Sequence, residues 1–353
     1  MFGLFKPNGK LGIDIGTASI KIIELENKNG HFSLTNYGLF ELKGSTNAAG
    51  VAGQNILRLP DDEIVWGIKE VIKKANIKSV NVIASIPSFS TFSTVIRMPY
   101  LSEQDLARAI PFEAKKYIPI PLDEVNMDWS IIEAAQNKNN PEKPMVDVFL
   151  AAVPKVETLR YQRIMQNAGL ALKAIELENS ALIRGLIGND LSPIVVVNIG
   201  GRSTSILIVS KGYERIGHNY EIGGFEITKS IARSLNISPE KAEELKKKMG
   251  LDQNDDNIIQ QAMTSLVDMM VFETNKTIAN YEEFSGQKVT KVMLVGGMVN
   301  MPNFLNYFKQ KLNREVFAGN PMARVVIPQD LNKIVGEISS TFAVATGLAM
   351  RET

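Results

Sequence analysis

Two glycine-containing turns, far apart in the sequence, carry the side chains best suited to binding a phosphate. The first lies in Leu11–Lys21, which reads L-G-I-D-I-G-T-A-S-I-K: an apolar strand, a tight turn and a returning strand. Small residues in the turn let backbone N–H groups approach an anion closely, and such concave groups of amides bind phosphate. Asp14 at the strand end can hold a hydrated Mg²⁺. Lys21 returns to the same end as a positive charge for the phosphate.

A Gly-Thr turn after an apolar strand is more often an ordinary hairpin, so this motif gains weight only from a second copy. Ile194–Val209 supplies that copy, because it again joins two apolar strands through Asn198, two glycines and small hydroxyl residues. A third site, Val292–Asn300, is an apolar strand that ends in a glycine pair. Together the three sites predict a nucleotide bound in a cleft between two halves of the chain.

The composition excludes several classes of function. A length of 353 residues predicts about two domains, and 44% hydrophobic with 22% charged residues is ordinary for a soluble globular chain. The net charge is +1 and no stretch is dense in Lys or Arg, which argues against a nucleic-acid partner. Without cysteine there is no disulfide and no thiolate metal site. The two histidines, His31 and His218, lie too far apart for a histidine-based centre.

No part of the sequence predicts a direct membrane span. No apolar run reaches the roughly 18 residues that cross a bilayer. The start, M-F-G-L-F-K, is too short for a signal peptide and lacks a basic leader. We expect these first residues to pack against the core or a partner.

Strands and helices alternate in two halves, and each half opens on a phosphate hairpin. Between them, the order strand, helix, strand, strand, helix predicts a compact α+β insert that begins with a strand at Phe89–Arg97. Ile258–Phe284 predicts a long helix. The expected core face of that helix consists of Ile258, Ile259, Ala262, Leu266, Met269, Met270 and Phe272.

These motifs resemble those of the actin/Hsp70/FtsA superfamily over nearly the whole chain. N-I-G-G-R-S-T matches the second phosphate motif and V-G-G-M the adenosine motif, while T-F-A-V-A-T-G-L-A resembles the second connecting helix. Glu178 opens a stretch similar to the first connecting helix, whose first Glu or Gln positions the attacking water. The resemblance implies an α/β, actin-like (ribonuclease H-like) two-domain fold that binds ATP or ADP with Mg²⁺.

Carried onto this sequence, the family's motifs assign a catalytic position, a magnesium position and a set of nucleotide contacts. Glu178 would be catalytic, and Asp14 would hold Mg²⁺ through water with help from Asn198. The nucleotide contacts would be Asp14, Gly16, Thr17, Ala18, Lys21, Asn198, Gly200, Gly201, Ser203, Thr204, Gly224, Glu243, Lys246, Gly296, Gly297 and Met298.

The insert points to a narrower family. F-E-A-K-K-Y-I-P, followed by P-L-D-E-V, is similar to a stretch typical of the PilM family of type IV pilus assembly proteins, and the insert resembles the FtsA type. FtsA would add an amphipathic membrane helix, whereas this chain stops at Thr353, which favours PilM. We expect a first domain at 1–88, 169–190 and 339–353, an insert at 89–168, and a second domain at 191–338 with a helical subdomain near 225–287.

The PilM resemblance implies a cytoplasmic adaptor that is peripheral to the inner membrane. Such proteins bind the N-terminal cytoplasmic peptide of PilN in a groove beside the insert. Other pilus platform proteins and ATPases, and self-association, are further partners that the resemblance leaves open. The alternative is a filament-forming division or cytoskeletal ATPase like FtsA or MreB. A kinase of the same fold would need another Asp base, and we find no candidate.

Two positions depart from the superfamily pattern. Asn198 replaces the usual acidic residue, and a neutral amide holds Mg²⁺ and orients water less strongly, so we expect ATP hydrolysis to be slow or absent. Arg202 replaces a glycine and either faces solvent or adds positive charge for the phosphate. Glu178 has a second interpretation as well, since a carboxylate is favoured at any helix N-terminus.

Overall fold

The structure is a computed structural model that describes residues 9–42, 60–135, 144–251, 258–331, 335–336 and 338–352. The strands are β1 (Gly9–Ile15), β2 (Ser19–Lys28), β3 (His31–Glu41), β4 (Asn81–Ile86), β5 (Phe92–Pro99), β6 (Val125–Ala135), β7 (Met145–Pro154), β8 (Ala171–Leu177), β9 (Ile194–Ile199), β10 (Thr204–Ser210), β11 (Tyr213–Tyr220), β12 (Lys291–Val295), β13 (Glu315–Ala318) and β14 (Val325–Val326). The helices are α1 (Asp61–Lys74), α2 (Glu103–Ala114), α3 (Lys155–Asn167), α4 (Glu178–Leu186), α5 (Gly224–Leu235), α6 (Pro239–Met249), α7 (Ile258–Ser285), α8 (Phe304–Leu312) and α9 (Ala343–Ala349). The predicted N-terminal packing of Met1–Phe5 lies outside the described residues.

Each half of the chain is built on one mixed sheet that begins with a hairpin. The first sheet has the order β14-β3-β2-β1-β4-β8, with β1 and β2 antiparallel and β1, β4 and β8 parallel. The second has the order β11-β10-β9-β12-β13, with β9 and β10 antiparallel and β9, β12 and β13 parallel. The phosphate hairpins β1–β2 and β9–β10 therefore occupy matching places in the two sheets, as the repeated motif predicts.

Two helices lie between the sheets. Leu182 of α4 and Leu348 of α9 pack in one core with Ile83 of the first sheet and Val196 of the second. A Cβ atom on Gly347 would stand 1.9 Å from the carbonyl oxygen of Ala181, so only glycine fits where the helices meet. These are the two stretches that resemble the connecting helices.

The outer faces of both sheets are also covered by helices. Residues of α1 and α3 pack on the first sheet, and residues of α5, α7 and α8 pack on the second. Helix α6 begins at Pro239 and is capped by Ser238, whose hydroxyl accepts the N–H of Lys241 at 3.3 Å. The layers from one side to the other are helices, sheet, α4 with α9, sheet, helices.

One helix and three strands of the insert pack around a core of their own. Strands β5, β7 and β6 form a three-stranded antiparallel sheet, and α2 covers one face of it. Helix α3, predicted as the last element of the insert, instead buries Tyr161, Ile164 and Met165 in the core of the first sheet. We therefore propose that the insert ends near residue 154 and that α3 belongs to the first domain.

Two local predictions are wrong. The expected strand Phe89–Arg97 begins only at Phe92, because Ser88–Ser90 forms a 3-10 turn. In α7, Ile258, Met269 and Phe272 are exposed rather than in the core. Of the expected face only Met270 is fully buried, while Ile259, Ala262 and Leu266 lie at its margin. The buried face is formed by Gln260, Met263, Val267, Met270, Val271, Thr274, Thr277, Ile278 and Tyr281.

Candidate functional site

The two phosphate turns have the same local structure and touch each other. In the first, the N–H of Gly16 donates to the carbonyl oxygen of Ser19 at 3.0 Å; in the second, the N–H of Gly200 donates to that of Ser203 at 2.9 Å. A Cβ atom on Gly201 would lie 2.5 Å from the Cβ of Ala18 and 3.5 Å from the hydroxyl of Thr17. The fold thus brings the two distant motifs face to face.

Asp14 combines one satisfied and one unsatisfied oxygen. Asp14 and Lys21 lie opposite each other in the β1–β2 register, and the ammonium of Lys21 is 2.9 Å from Oδ2 of Asp14. The other oxygen, Oδ1, is buried without a hydrogen-bond partner among the described residues. Ser85, adjacent to Asp14 because Ile13 pairs with Ala84, also has a buried hydroxyl without a partner there. Unsatisfied buried oxygens are costly, so they mark a place where a ligand or water fits.

Glu178 lies at the first position of α4 and faces the same site. Its Oε2 accepts the backbone N–H and the hydroxyl of Ser88, each at 2.9 Å. Burial, with the nearby charge of Asp14, raises the pKa of Glu178 to about 7, although the bonds from Ser88 and the charge of Lys21 oppose that shift. A carboxyl group with a pKa near neutrality is suited to accept a proton from water.

The second turn differs from the first in having neutral polar groups. Asn198 and Ser205 lie opposite each other in the β9–β10 register, where the first turn has Asp14 and Lys21. The hydroxyl of Ser205 is buried with no partner in the described ranges. Thr204 instead faces away from the turn and donates to the carbonyl oxygen of Ile222 at 2.7 Å. Of these groups, Asn198 and Ser205 are the ones positioned to bind water or a ligand.

The predicted adenosine contacts adjoin the second turn. The N–H of Gly224 donates to the carbonyl oxygen of Gly200 at 3.0 Å, and a Cβ on Gly224 would lie 2.9 Å from the sulfur of Met298. The ammonium of Lys246 donates to Gly224 O and to Oε2 of Glu243, at 2.9 and 2.6 Å. The fold therefore places these residues beside the phosphate turns.

Lys246 and Glu243 form a largely buried ion pair. Burial lowers the pKa of Lys246, although the charge of Glu243 opposes this shift. Burial opposes the shift of Glu243 as well, but the charge of Lys246 and the hydrogen bonds from Lys246 and Thr228 lower its pKa. A ribose hydroxyl that bound at this site would have to compete with the hydrogen bond between Lys246 and Glu243.

The third glycine site contains one glycine that the backbone requires and one that it does not. Gly296 has a φ of +99°, and a Cβ there would lie 2.2 Å from the carbonyl oxygen of Ile199. Its N–H donates to the carbonyl oxygen of Ser340 at 3.0 Å. A Cβ on Gly297, in contrast, meets nothing within 4 Å. Gly297 is therefore the position at which a side chain can be added without disturbing the backbone.

Of the two sequence-based interpretations of Arg202, the one in which its side chain faces solvent is wrong. The side chain is buried rather than turned to solvent, and its guanidinium lies 5.1 Å from the ring centre of Phe225. Burial lowers its pKa, with Glu226 opposing. The arrangement fixes the second turn against the start of α5, with a positive charge next to Gly201.

The residues fit a nucleotide with a water-held magnesium ion better than a directly ligated metal. No group of three or more His, Cys, Asp or Glu side chains converges on one point within the described ranges. The free Oδ1 of Asp14 matches the acceptor that a hydrated Mg²⁺ needs. Turn amides and the ammonium of Lys21 match the phosphates.

Four buried polar residues were not predicted as site residues: Ser88, Asn179, Ser205 and Glu214. Asn179 and Ser205 lie within two of the motifs, whereas Ser88 and Glu214 lie outside them. Ser205 could have been found as the partner of Asn198 in the hairpin. Ser88 directly follows a strand-ending proline, which places it at the carboxyl end of a parallel strand. Glu214 is brought close to Asn179 only by the tertiary structure.

A cavity lies where the insert meets the two domains. This insert groove has a volume of about 260 Å³. Its walls include Trp129 and Phe149 of the insert, Ser180 and Ile183 of α4, and Tyr213 and Glu214 of the β10–β11 hairpin.

Beside the groove, an insert junction of five charged residues joins the insert to the same hairpin. Glu133 binds the ammonium of Lys211 and accepts from Nη2 of Arg215 at 2.7 Å. Asp147 binds Arg97 at 2.8 Å and Arg215 at 3.5 Å. Although burial opposes it, bonds from Lys211 and Arg215 hold the pKa of Glu133 below its ordinary value.

Two known proteins place this fold in its class. Cell division protein FtsA of Bacillus subtilis is 21% identical over 364 aligned residues, which cover 88% of this chain and 78% of FtsA. MreB5 of Spiroplasma citri, solved with AMPPNP bound, is 13% identical with a TM-score of 0.53, covering 97% of this chain and 95% of that one. The fold and the paired turns define an actin-like protein with an FtsA-type insert.

Two further comparisons give the family. A solved PilM-PilN type IV pilus biogenesis complex is 22% identical with a TM-score of 0.80, covering 97% of this chain and 98% of that one. The family model of type IV pilus assembly protein PilM matches residues 12–353. This chain belongs to the PilM family of type IV pilus assembly proteins.

Proposed function

We propose that the protein is an ATP-binding adaptor of the type IV pilus inner-membrane platform, and that it binds the cytoplasmic N-terminal peptide of PilN. Membership of the PilM family supports the pilus role. The related complex contains PilN. No helix in the described part of the chain is both long and apolar enough to cross a bilayer. We propose that the protein works in the cytoplasm and reaches the inner membrane through PilN.

The contact between the phosphate turns carries the nucleotide half of this proposal. Gly201 lies against Ala18, so amides of both turns can face one triphosphate. Lys21 supplies a positive charge at that point and is held there by Asp14. When bound, Mg²⁺ would neutralise phosphate charge. Asp14 would hold it through water, and Asn198 would accept a further hydrogen bond from that water.

We also propose that any hydrolysis is slow. Glu178 is placed to take a proton from a water molecule, but Asn198 contributes no negative charge to orient that water. Asn198 and Ser205, the neutral pair opposite each other in the β9–β10 hairpin, therefore favour ATP binding over ATP hydrolysis. A brisk rate that Glu178→Ala abolishes would contradict this part of the proposal.

The insert groove is our proposed site for the PilN peptide. It lies beside the insert and combines aromatic and aliphatic walls with two acidic residues, Asp128 and Glu214. Such a cleft suits an extended peptide with apolar side chains and a basic group. The partly exposed ring of Tyr213 offers contact area without being needed for the core.

Calorimetric titration tests both halves of the proposal. We expect wild-type protein to bind ATP with Mg²⁺, and Gly297→Trp to weaken that binding by filling the open space at the base site. Asp62→Asn, an exposed change on α1, is the control for folding and surface charge. If Gly297→Trp and wild type bind ATP equally, the proposed base site is wrong.

For the partner, a synthetic peptide with the sequence of the cognate PilN N-terminus should bind the wild type. Tyr213→Ala should weaken it about tenfold, as expected for an aromatic interface anchor. Tyr100→Ala removes a more exposed tyrosine of the insert that lies outside the groove, and should have no effect. A loss with Tyr100→Ala alone would move the site to the outer side of the insert.

The similarity to FtsA favours one second candidate, a filament-forming ATPase. Concentration-dependent pelleting with ATP separates the two proposals. Filaments without peptide binding would support the second candidate, whereas peptide binding by a non-pelleting protein would support the adaptor.

A further inference from the structure

The first turn of α4 serves two sites at once. Glu178 faces Asp14 and the phosphate turns, while Ser180 and Ile183 line the insert groove. Asn179, between them, is buried. Glu178 is therefore only two residues away from Ser180, which lines the groove.

A buried hydrogen-bond chain runs from Glu178 to the insert. The hydroxyl of Ser88 lies 2.9 Å from Oε2 of Glu178 and 3.2 Å from Oδ1 of Asn179. Nδ2 of Asn179 donates to Oε2 of Glu214 at 3.1 Å, and the hydroxyl of Ser93 donates to Oε1 of Glu214 at 2.7 Å. We call these five residues the polar relay.

The polar relay joins three parts of the molecule. Ser88 follows the last residue of β4 and Pro87 in the first domain, Ser93 lies on β5 of the insert, and Glu214 lies on β11 of the second domain. Nδ2 of Asn219, also on β11, donates to the carbonyl oxygen of Ser88 at 3.3 Å. The relay is thus a polar contact at which all three parts meet, and Glu214 is one wall of the groove.

Ser88 gives the relay two discrete states. A serine hydroxyl has a single proton to donate, yet Glu178 and Asn179 both present an acceptor to it. A charged carboxylate is the stronger acceptor, and it is also the closer one here. When Glu178 is neutral, or when its carboxylate instead binds a water molecule next to the phosphate, Asn179 becomes the better acceptor for the Ser88 hydroxyl.

The far end of the relay is sensitive to such a change. Burial raises the pKa of Glu214, and its neutral partners Ser93 and Asn179 only partly oppose this. A buried carboxyl group with neutral partners depends on each hydrogen bond, because losing one costs on the order of 1–3 kcal/mol. The position of Glu214 therefore follows that of Asn179.

We propose that the shared proton of Ser88 couples the nucleotide site to the insert groove, through Asn179, Glu214 and Ser93. This inference rests on the proposed function, since it needs both an occupied phosphate site and a peptide in the groove. When a ligand occupies the phosphate site, the hydrogen bond from the Ser88 hydroxyl to Glu178 becomes weaker or stronger. Through the relay, that change alters the position of Glu214 in the groove wall and so the affinity for the peptide. By linkage, the bound peptide alters the affinity for the nucleotide by the same free energy.

The test is a linkage measurement by calorimetry. The probes are ATP with Mg²⁺ and the synthetic PilN N-terminal peptide, each titrated with and without a saturating amount of the other. In the wild type we expect the Kd of the peptide to change at least about fivefold when ATP is present, and the Kd of ATP to change by the same factor with peptide. Ser88→Ala removes the shared proton but keeps the backbone bond to Glu178, and should reduce the factor to below about twofold.

Two further variants make the result specific. Ser93→Ala breaks the insert end of the relay at a partly exposed position, and should also reduce the factor even if Ser88→Ala fails to fold. Ser90→Ala removes a hydroxyl from the same 3-10 turn, outside the relay, and should keep the full factor. Melting temperatures confirm that each variant is folded.

The outcomes separate this inference from the function on which it rests. If the wild type binds both probes but neither affects the other, the relay proposal is wrong and the adaptor proposal stands. The same holds if Ser93→Ala keeps the full factor, or if Ser90→Ala loses it as fully as Ser93→Ala. If the wild type binds only one probe or neither, the proposed function itself fails and the relay falls with it.

Discussion

The phosphate turns and the insert junction treat buried polar groups in opposite ways. At the turns, Oδ1 of Asp14 and the hydroxyl of Ser205 have no partner among the described residues. At the junction, Glu133 and Asp147 each bind two positive side chains. An unsatisfied buried group costs on the order of 1–3 kcal/mol. The junction is therefore complete in itself, whereas the turns leave polar atoms that a ligand or water could bind.

The largest effect should come from Asp14→Asn, which removes the negative charge that would hold a hydrated Mg²⁺ while keeping the shape of the side chain. We expect the affinity for ATP with Mg²⁺ to fall about 10- to 100-fold, the range typical of groups that hold a metal indirectly. Calorimetric titration measures the loss, and circular dichroism checks that the variant is folded. An unchanged affinity for ATP would contradict the proposal that the turns bind a nucleotide, and with it the difference drawn between the turns and the junction.

The next largest effect should be the dependence of the protein's stability on pH that Glu178 causes. Its pKa is raised from the ordinary 4.5 to about 7, so the folded protein retains a proton that the unfolded chain has released. The contribution to stability is therefore fully present below about pH 4.5 and is lost as the pH rises through 7.

Glu178→Gln keeps an acceptor for Ser88 but cannot ionise, so its stability should not show this loss. Between pH 5 and 8 we expect the variant to gain on the order of 2 kcal/mol relative to the wild type. Urea unfolding at each pH measures the difference. Parallel profiles for the two proteins would mean that Glu178 is not strained by its surroundings, and would weaken the case for an unfilled site.

Glu133→Gln at the junction should destabilise the protein, in contrast to Glu178→Gln at the turns. Removing this half-exposed charge should lower the free energy of unfolding by about 1 kcal/mol, since exposed pairs are worth little and networks somewhat more. Most of the loss should disappear in 1 M salt, where the Debye length is about 3 Å. Affinity for ATP should stay within about twofold of the wild type. A tenfold change in ATP affinity would show that the two regions are not separate in function.

The smallest effect should come from two neighbours in β10. Ser205→Ala removes a hydroxyl that has no partner in the described part of the chain, and should leave stability unchanged or raise it by about 0.5–1 kcal/mol. Thr204→Val removes a hydroxyl bonded to Ile222 and should cost about 1 kcal/mol. Thermal unfolding of the matched pair sharpens the comparison. Equal losses would mean that Ser205 does have a stabilising partner.

The paired hairpins could be predicted because their signals are local. Alternating apolar residues fix which side chains share a face of a strand, so Asp14 and Lys21 had to lie at the same end of their hairpin. The repeat of that pattern around Asn198 then implied a matching second turn, and the resemblance supplied the actin-like arrangement.

The remaining features depend on contacts that no local pattern encodes. Helix α7 has apolar residues all around, and which side is buried depends on the sheet against which it packs. Helix α3 follows the insert directly in sequence, yet it covers the first sheet. The polar relay draws Ser88, Ser93 and Glu214 from three separate units, so no spacing in the sequence could link them.

The contact between Gly347 and Ala181 has a mechanical consequence. With backbone against backbone, the two central helices have no space left to move closer together. This contact excludes a closer approach and leaves rotation or sliding about it as the relative movements open to the two sheets. Displacement in a rotation grows with distance from the axis, so a small turn at the centre becomes a larger travel at the periphery of the molecule.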